Sequence, residues 1–229
     1  KQQPDVCVFQ EVDLHARRTG LRDVADLLAR QFEFNYVFGI EFEELSQGSN
    51  TERAYQGQAV FARCPIEAPR ILRFGRQSSY WRPRRFLPRW PVFQPRHGGR
   101  MALAAELVIG LTRLIIYNLH LESQGCDDLR LWQLSEVVQD SLQYSHDTPV
   151  VVAGDLNTRN APSPLRDFLL ASGFRDACGG RTCRGTKANG QTLDWIFVRG
   201  AAESSGTRVH RDISASDHYP LSTNLSLIC

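Results

Sequence analysis

Five short polar clusters carry side chains able to bind a cation or move a proton: Gln10-Glu11, Asn118-Leu119-His120, Gly154-Asp155-Leu156-Asn157, Asp194 and Ser216-Asp217-His218. Asp155 and Asn157 are two apart, so an extended backbone turns both to one face. Polar groups at the ends of buried strands need partners, and a hard cation with phosphate satisfies several carboxylates at once. Asp194 lies among apolar neighbours in TLDWIF. A buried carboxylate there suits the task of holding an imidazole in one tautomer and favouring its protonated form.

Taken alone, each cluster also has a plain structural account. Glu11 reads as an exposed residue after a strand, Asp155 as a turn residue capping the next segment, His120 as a satisfied core histidine and Asp217 as a turn residue before a last strand. Position joins them, because each strong strand ends in such a cluster, where open α/β sheets place their ligand sites.

The elements that must position these residues follow from hydrophobic period. Residues 5–10 (DVCVFQ) form a short buried strand that delivers Glu11 to its C-terminal end. Residues 21–32 place Leu21, Val24, Ala25, Leu27, Leu28 and Phe32 at helical spacing, opposite Arg22, Asp23, Asp26 and Arg30. Strands are expected at 35–39, 58–62 and 71–74, with a polar loop at 46–53. Residues 101–109 and 114–121 form a hairpin around Gly110, and 127–144 a helix. The run PVVVA at 149–153 is the most strand-like of all, and Gly154 lets the following backbone approach a ligand closely. A short helix at 165–171 and strands at 193–198, 208–213 and 219–227 complete the chain. About ten strands and three helices predict an α/β fold in which two sheets pack together with helices outside. With 229 residues, 42% of them hydrophobic, and no repeat or linker, the expectation is one domain, monomeric.

In this order, QEVD, YNLHLES, AGDLNT, LDWIFV and SDHYPL resemble the endonuclease/exonuclease/phosphatase superfamily across residues 5–227. That superfamily includes pancreatic-type deoxyribonucleases, abasic-site endonucleases, sphingomyelinases and inositol-polyphosphate phosphatases. The resemblance implies a four-layered α/β sandwich, two packed mixed β-sheets flanked by helices. It implies that Glu11 is the principal metal-binding carboxylate and that Asp155 positions and activates the attacking water and also serves as a metal ligand. Asn157 would hold that water or a phosphate oxygen, with Asn118 a further phosphate contact. His218 would be the catalytic histidine, Asp194 the carboxylate orienting it, and Asp217 a metal or water ligand beside it. His120 would contact the phosphate and assist the leaving oxygen, which favours the deoxyribonuclease and sphingomyelinase branches over abasic-site enzymes, where tyrosine is usual. The family carries an Asn on a first strand before the QE motif, and its absence here implies either an N-terminally truncated domain or the loss of that ligand. The implied ligand set of Glu11, Asp155, Asn157 and Asp217 is all oxygen, which suits Mg²⁺ or Mn²⁺ better than Zn²⁺.

Charge is unevenly spread. From Pro69 to Arg100 there are nine arginines and no acidic residue, so subtracting nine from the net charge of +2 leaves about −7 on the rest. Tyr80, Trp81, Phe86, Trp90 and Phe93 are interleaved with them. Residues 75–99 are expected to form a long ordered excursion. Its surface reads either as a solvated loop or as a contact for a polyanion, a nucleic acid through phosphate pairing and base stacking or a lipid headgroup layer. Arg100, which enters the strand after Gly98-Gly99, is the arginine expected to reach a substrate phosphate. The six cysteines show no paired CxxC spacing, which argues against structural zinc and for reduced thiols, Cys178 and Cys183 among them, in a cytoplasmic protein. No run approaches the ~20 apolar residues of a membrane span. The leading expectation is therefore a phosphodiesterase acting on nucleic acid. The alternatives are a phospholipid or inositol-phosphate phosphoesterase and a non-catalytic binding domain of the same fold.

Overall fold

The computed structural model describes residues 3–82, 88, 90–158, 163–179 and 183–228. The chain opens with strand β1 (Val6–Ala16), a two-residue strand β2 (Arg22–Asp23) and helix α1 (Val24–Phe32), followed by β3 (Asn35–Glu44), β4 (Ala54–Ala62) and β5 (Ile66–Arg73). After a 3₁₀ turn at Ser79–Trp81 come β6 (Arg96–Gly98), β7 (Met101–Ile109), β8 (Thr112–His120), α2 (Asp127–Ser141) and β9 (Val150–Asp155). The last elements are α3 (Pro164–Ala171), β10 (Arg175–Asp176), β11 (Asp194–Arg199), β12 (Ala202–Val209) and β13 (Leu221–Leu227).

The strands form a five-stranded sheet of order β2-β1-β4-β3-β6, a six-stranded sheet of order β10-β11-β9-β8-β7-β5, and a β12-β13 ribbon. The first sheet is antiparallel throughout. The second is mixed, because β8 and β9 are joined through α2 and run parallel. Of the two sheets expected to be mixed, one is. The four layers follow from side-chain alternation. Ile115, Tyr117, Leu119, Val150 and Val152 face Leu134, Val137, Leu165 and Leu169 of the two helices, while Leu114, Ile116, Val151 and Ala153 face the other sheet's Val60 and Ala62. On the far side, Ala59 and Phe61 pack on Ala25 and Ala29 of α1.

Several boundaries move for identifiable reasons. The strand expected to stop at Gln10 continues to Ala16, and the pairing with β4 slips between Phe9 and Val12, which makes Glu11 part of a β-bulge and not a strand terminus. Helix α1 starts at Val24, not Leu21, because Asp23 accepts the Asp26 backbone N–H as an N-cap and pairs with β1. The strand expected at 208–213 lies at Ala202–Val209, a Ser-rich segment whose burial alternates without large apolar residues. The 75–99 excursion is pinned by the 3₁₀ turn and β6; its Arg84, Arg85, Arg89 and Phe86 lie outside the described residues.

Candidate active site

Sheet register brings the polar clusters together. His120 and Asp155 are directly paired across the parallel β8–β9 ladder, and Asp194 is paired with Asp155 across β9–β11. Even-numbered positions of β8 and odd-numbered positions of β9 point away from the helices, so His120 and Asp155 emerge on the inter-sheet side at the ends of their strands. Gly154 has φ 135°, and a Cβ there would overlap the Leu119 carbonyl of β8. The glycine thus serves the close approach of two strands, where the sequence suggested approach to a ligand.

His120 is the hub. Its Nδ1 is 3.2 Å from Glu41 Oε2, and its Nε2 is 4.0 Å from Glu11 Oε1 and 3.9 Å from Asp155 Oδ2. Arg100, fully buried, closes the group: its guanidinium is 3.2 Å from Glu41, donates to Ser123 Oγ at 3.0 Å and lies against the His120 ring. Trp81 and Phe42 flank the same guanidinium at 5.6 and 5.2 Å. Arg100 is therefore committed to the interior and holds His120, which differs from its expected place on a substrate phosphate. Asn118 is likewise consumed: its amide donates to the Phe9 and Ala59 carbonyls, and its oxygen accepts from Gln10 at 2.6 Å. Its geometry is that of a tie between the two sheets.

Burial raises the Asp155 carboxyl above its ordinary value, with His120 opposing and the Asp194 charge adding. Its Oδ1 accepts the Asn157 backbone N–H at 2.7 Å, so Asp155 does cap a turn, and Asn157 adopts φ 50°. The Asn157 amide nitrogen is spent on the Leu121 carbonyl at 3.0 Å. Two of the expected site residues, Glu11 (φ 57°) and Asn157, thus sit in the left-handed region that non-glycine residues rarely adopt, a strain that clusters at functional sites.

His218 Nδ1 lies 2.8 Å from Asp194 Oδ2. That hydrogen bond lifts the His218 pKa above the ordinary histidine value, with burial opposing it. Asp217 is largely exposed and paired with Lys187 at 2.9 Å, which holds its carboxyl below the usual range.

Two residues of this neighbourhood went unread in the sequence. Glu41 is completely buried, and burial alone would raise its carboxyl, but His120 and Arg100 outweigh this and hold it low. Its signal was an acidic residue inside the apolar run VFGIEF. Lys187 lies in GTKANG, a turn-like string with no chemical signature.

A divalent ion fits this donor set. Glu11 is more than half exposed, and its carboxylate and that of Asp155 both lie within 4.0 Å of the same ring nitrogen. Among the described residues no three His, Cys, Asp or Glu side chains form a cage. Mg²⁺ needs none, since it keeps several waters and takes one or two carboxylates with substrate phosphate.

One sequence expectation is overturned outright: Cys178 and Cys183 form a disulfide, where a reduced pair was expected. Cys7, Cys64 and Cys126 are free thiols.

The fold is the α/β sandwich of a phosphoesterase family, and residues 1–218 match the model of the Endonuclease/Exonuclease/phosphatase family. The chain belongs to that family. Among solved structures it is similar to an endonuclease/exonuclease/phosphatase from Beutenbergia cavernae (18% identity, TM-score 0.70), covering 98% of this chain and 63% of that one. The human Nocturnin catalytic domain with bound sulfate is similar at 17% identity and TM-score 0.70, over 98% and 82% of the two chains. TDP2 from D. rerio, complexed with a single-strand DNA product, is similar at 20% identity and TM-score 0.66, over 97% and 86%. No curated protein matches the sequence. No helix among the described residues is long and apolar enough to cross a membrane.

Proposed function

We propose that the protein is a divalent-metal-dependent phosphodiesterase that hydrolyses a nucleic-acid backbone. The observation that carries this reading is the convergence of Glu11, His120 and Asp155 around one ring nitrogen, beside the Asp194–His218 pair.

Phosphodiester hydrolysis is an in-line displacement, so the site must align a water, neutralise equatorial charge and protonate the leaving oxygen. Asp155 takes the water: one carboxylate oxygen is fixed by the Asn157 N–H, and the raised pKa makes it a better base than a free aspartate. Asn157 retains its side-chain oxygen for the water's hydrogen, while its amide nitrogen stays on Leu121. Asp194 fixes His218 Nδ1, leaving Nε2 to donate its proton to phosphate, an assistance typically worth ~10²–10⁴-fold. His120, held by Glu41 and Arg100, would give the leaving oxygen its proton, while Asp155 takes the proton of the attacking water. Glu11, with Asp155, would hold Mg²⁺ or Mn²⁺, which neutralises charge on the phosphoryl oxygens when bound.

Exposed aromatic residues of the segment that reaches Arg100 through Trp81 support a nucleic acid. Tyr80, Trp90 and Phe93 are exposed, Trp90 and Phe93 stack with ring centroids 6.3 Å apart, and the Arg76 guanidinium lies 3.5 Å over the exposed Trp132 ring. Bases stack on such platforms with little sequence preference. The same fold in D. rerio TDP2 accommodates a single-strand DNA product.

Hydrolysis of bis-p-nitrophenyl phosphate by wild type and His218→Ala, with and without EDTA, tests the chemistry. Turnover that survives EDTA, or full activity in the variant, sinks the assignment. Plasmid DNA, single-stranded RNA, sphingomyelin and inositol phosphates compared side by side test the substrate; preferential cleavage of either lipid-derived class replaces the nucleic-acid reading.

A further inference from the structure

We infer that Lys187 takes the place of a second cation at Asp217, so that the site accepts one divalent ion, at Glu11. The inference rests on the metal-dependent reading above and concerns how many ions the site takes and where.

Lys187 is placed by its backbone, not by a chance side-chain encounter. It forms an antiparallel bridge with His218, and the flanking residues complete the pairing: Ala188 N–H donates to the Asp217 carbonyl at 2.8 Å, and Tyr219 N–H donates to the Thr186 carbonyl at 2.6 Å. A tight turn holds the strap from behind, with Lys187 N–H on the Gln191 carbonyl and Gly190 N–H on the Lys187 carbonyl, both at 2.9 Å. Thr186, fully buried, accepts the backbone N–H groups of Leu193 and Asp194 on its hydroxyl at 3.0 and 3.1 Å. The segment is thus anchored to both members of the Asp194–His218 pair.

From that anchored position Lys187 Nζ reaches Asp217 Oδ2 at 2.9 Å, with only 28% of the side chain exposed. The choice of residue is informative. Of 27 basic residues, all but Lys1 and Lys187 are arginine. An ammonium is a compact, strongly hydrated point charge, the closest side-chain counterpart of a small cation, whereas a guanidinium is a planar fork. A divalent ion at Asp217 would have to displace Lys187 or sit beside a like charge on the same carboxylate. Glu11 has no such competitor: it is 56% exposed and, among the described residues, pairs with no lysine or arginine.

Mn²⁺ titration of the intact chain, followed by electron paramagnetic resonance of free Mn²⁺ and by calorimetry, decides the matter without reference to turnover. Wild type is expected to bind one Mn²⁺, Glu11→Gln to weaken it at least tenfold, and Asp217→Asn to change it less than twofold. Lys187→Met is expected to acquire a second Mn²⁺ that the Lys187→Met/Asp217→Asn double variant lacks. Two ions in wild type, a tenfold loss in Asp217→Asn, or a single ion in folded Lys187→Met overturns the inference while leaving metal dependence intact. Should Lys187→Met fail to fold, the Asp217→Asn comparison decides alone. No Mn²⁺ bound by wild type, or none of it sensitive to Glu11→Gln, removes the metal reading and this inference together.

Discussion

Asp194 and His218 meet at 2.8 Å, carboxylate oxygen to Nδ1, across 24 residues of chain. The first is the opening residue of β11 and the second precedes β13, so the contact depends on the strap at Thr186 that ties both. Because the folded pKa of His218 is raised, its stabilising contribution is fully present below the unfolded value of about 6.5 and is lost as pH rises through the folded value. Asp194→Asn should move the His218 titration, followed by imidazole proton chemical shifts, to lower pH. It should also shift the alkaline limb of the pH–rate profile the same way; an unmoved titration contradicts the pairing.

Glu41 is the sole carboxylate partner of Arg100 and the nearest of His120 among the described residues. Removing one partner from a buried ion pair leaves uncompensated charge, at a cost of roughly 3–5 kcal/mol. Glu41→Ala should lose about that much in urea unfolding, and Glu41→Gln distinctly less. A change within about 0.5 kcal/mol of wild type, the ordinary range of a surface substitution, would show the trio to be unimportant to the core.

Asp155 illustrates the opposite sign. Its carboxyl is raised by burial, so ionising it costs stability as pH rises above the unfolded aspartate value. Asp155→Asn should raise the melting temperature at neutral pH in EDTA while abolishing turnover. This is the exchange of stability for activity expected where a site holds a buried charge. Thermal melts at about pH 4 and about pH 7.5 distinguish the cases: the gain should appear at the higher pH and shrink at the lower.

The Cys178–Cys183 disulfide closes a short loop, for which a chain-entropy estimate gives about 2 kcal/mol. Titration of unfolded protein should yield two more thiols after reduction than before. Reduction should lower the melting temperature by roughly 4–8 °C for a domain of this size. An equal thiol count before and after reduction would remove the bridge.

By itself the sequence determined the chemistry available and the order in which it is delivered. The runs before Asp155, His120 and Asp194 are apolar and strand-like, and a strand's period fixes which face each polar residue occupies. Two packed sheets with helices outside were legible for that reason, whereas the Asp194–His218 partnership and the four layers were expected only through the resemblance of the ordered motifs to a known family. Other assignments depended on who stands opposite whom across strands distant in sequence. Asn118 becomes a tie between sheets because Phe9 and Ala59 face it. Arg100 turns inward because Glu41, on a bulged stretch of β3, lies 59 residues away in sequence yet 3.2 Å away in space. Glu11 is set by a bulge within a strand, and Asp217 meets Lys187 through a backbone bridge. Hydrophobic pattern specifies the face of a strand, while strand order and register decide which buried charges are neighbours, and those emerge only when the whole sheet is assembled.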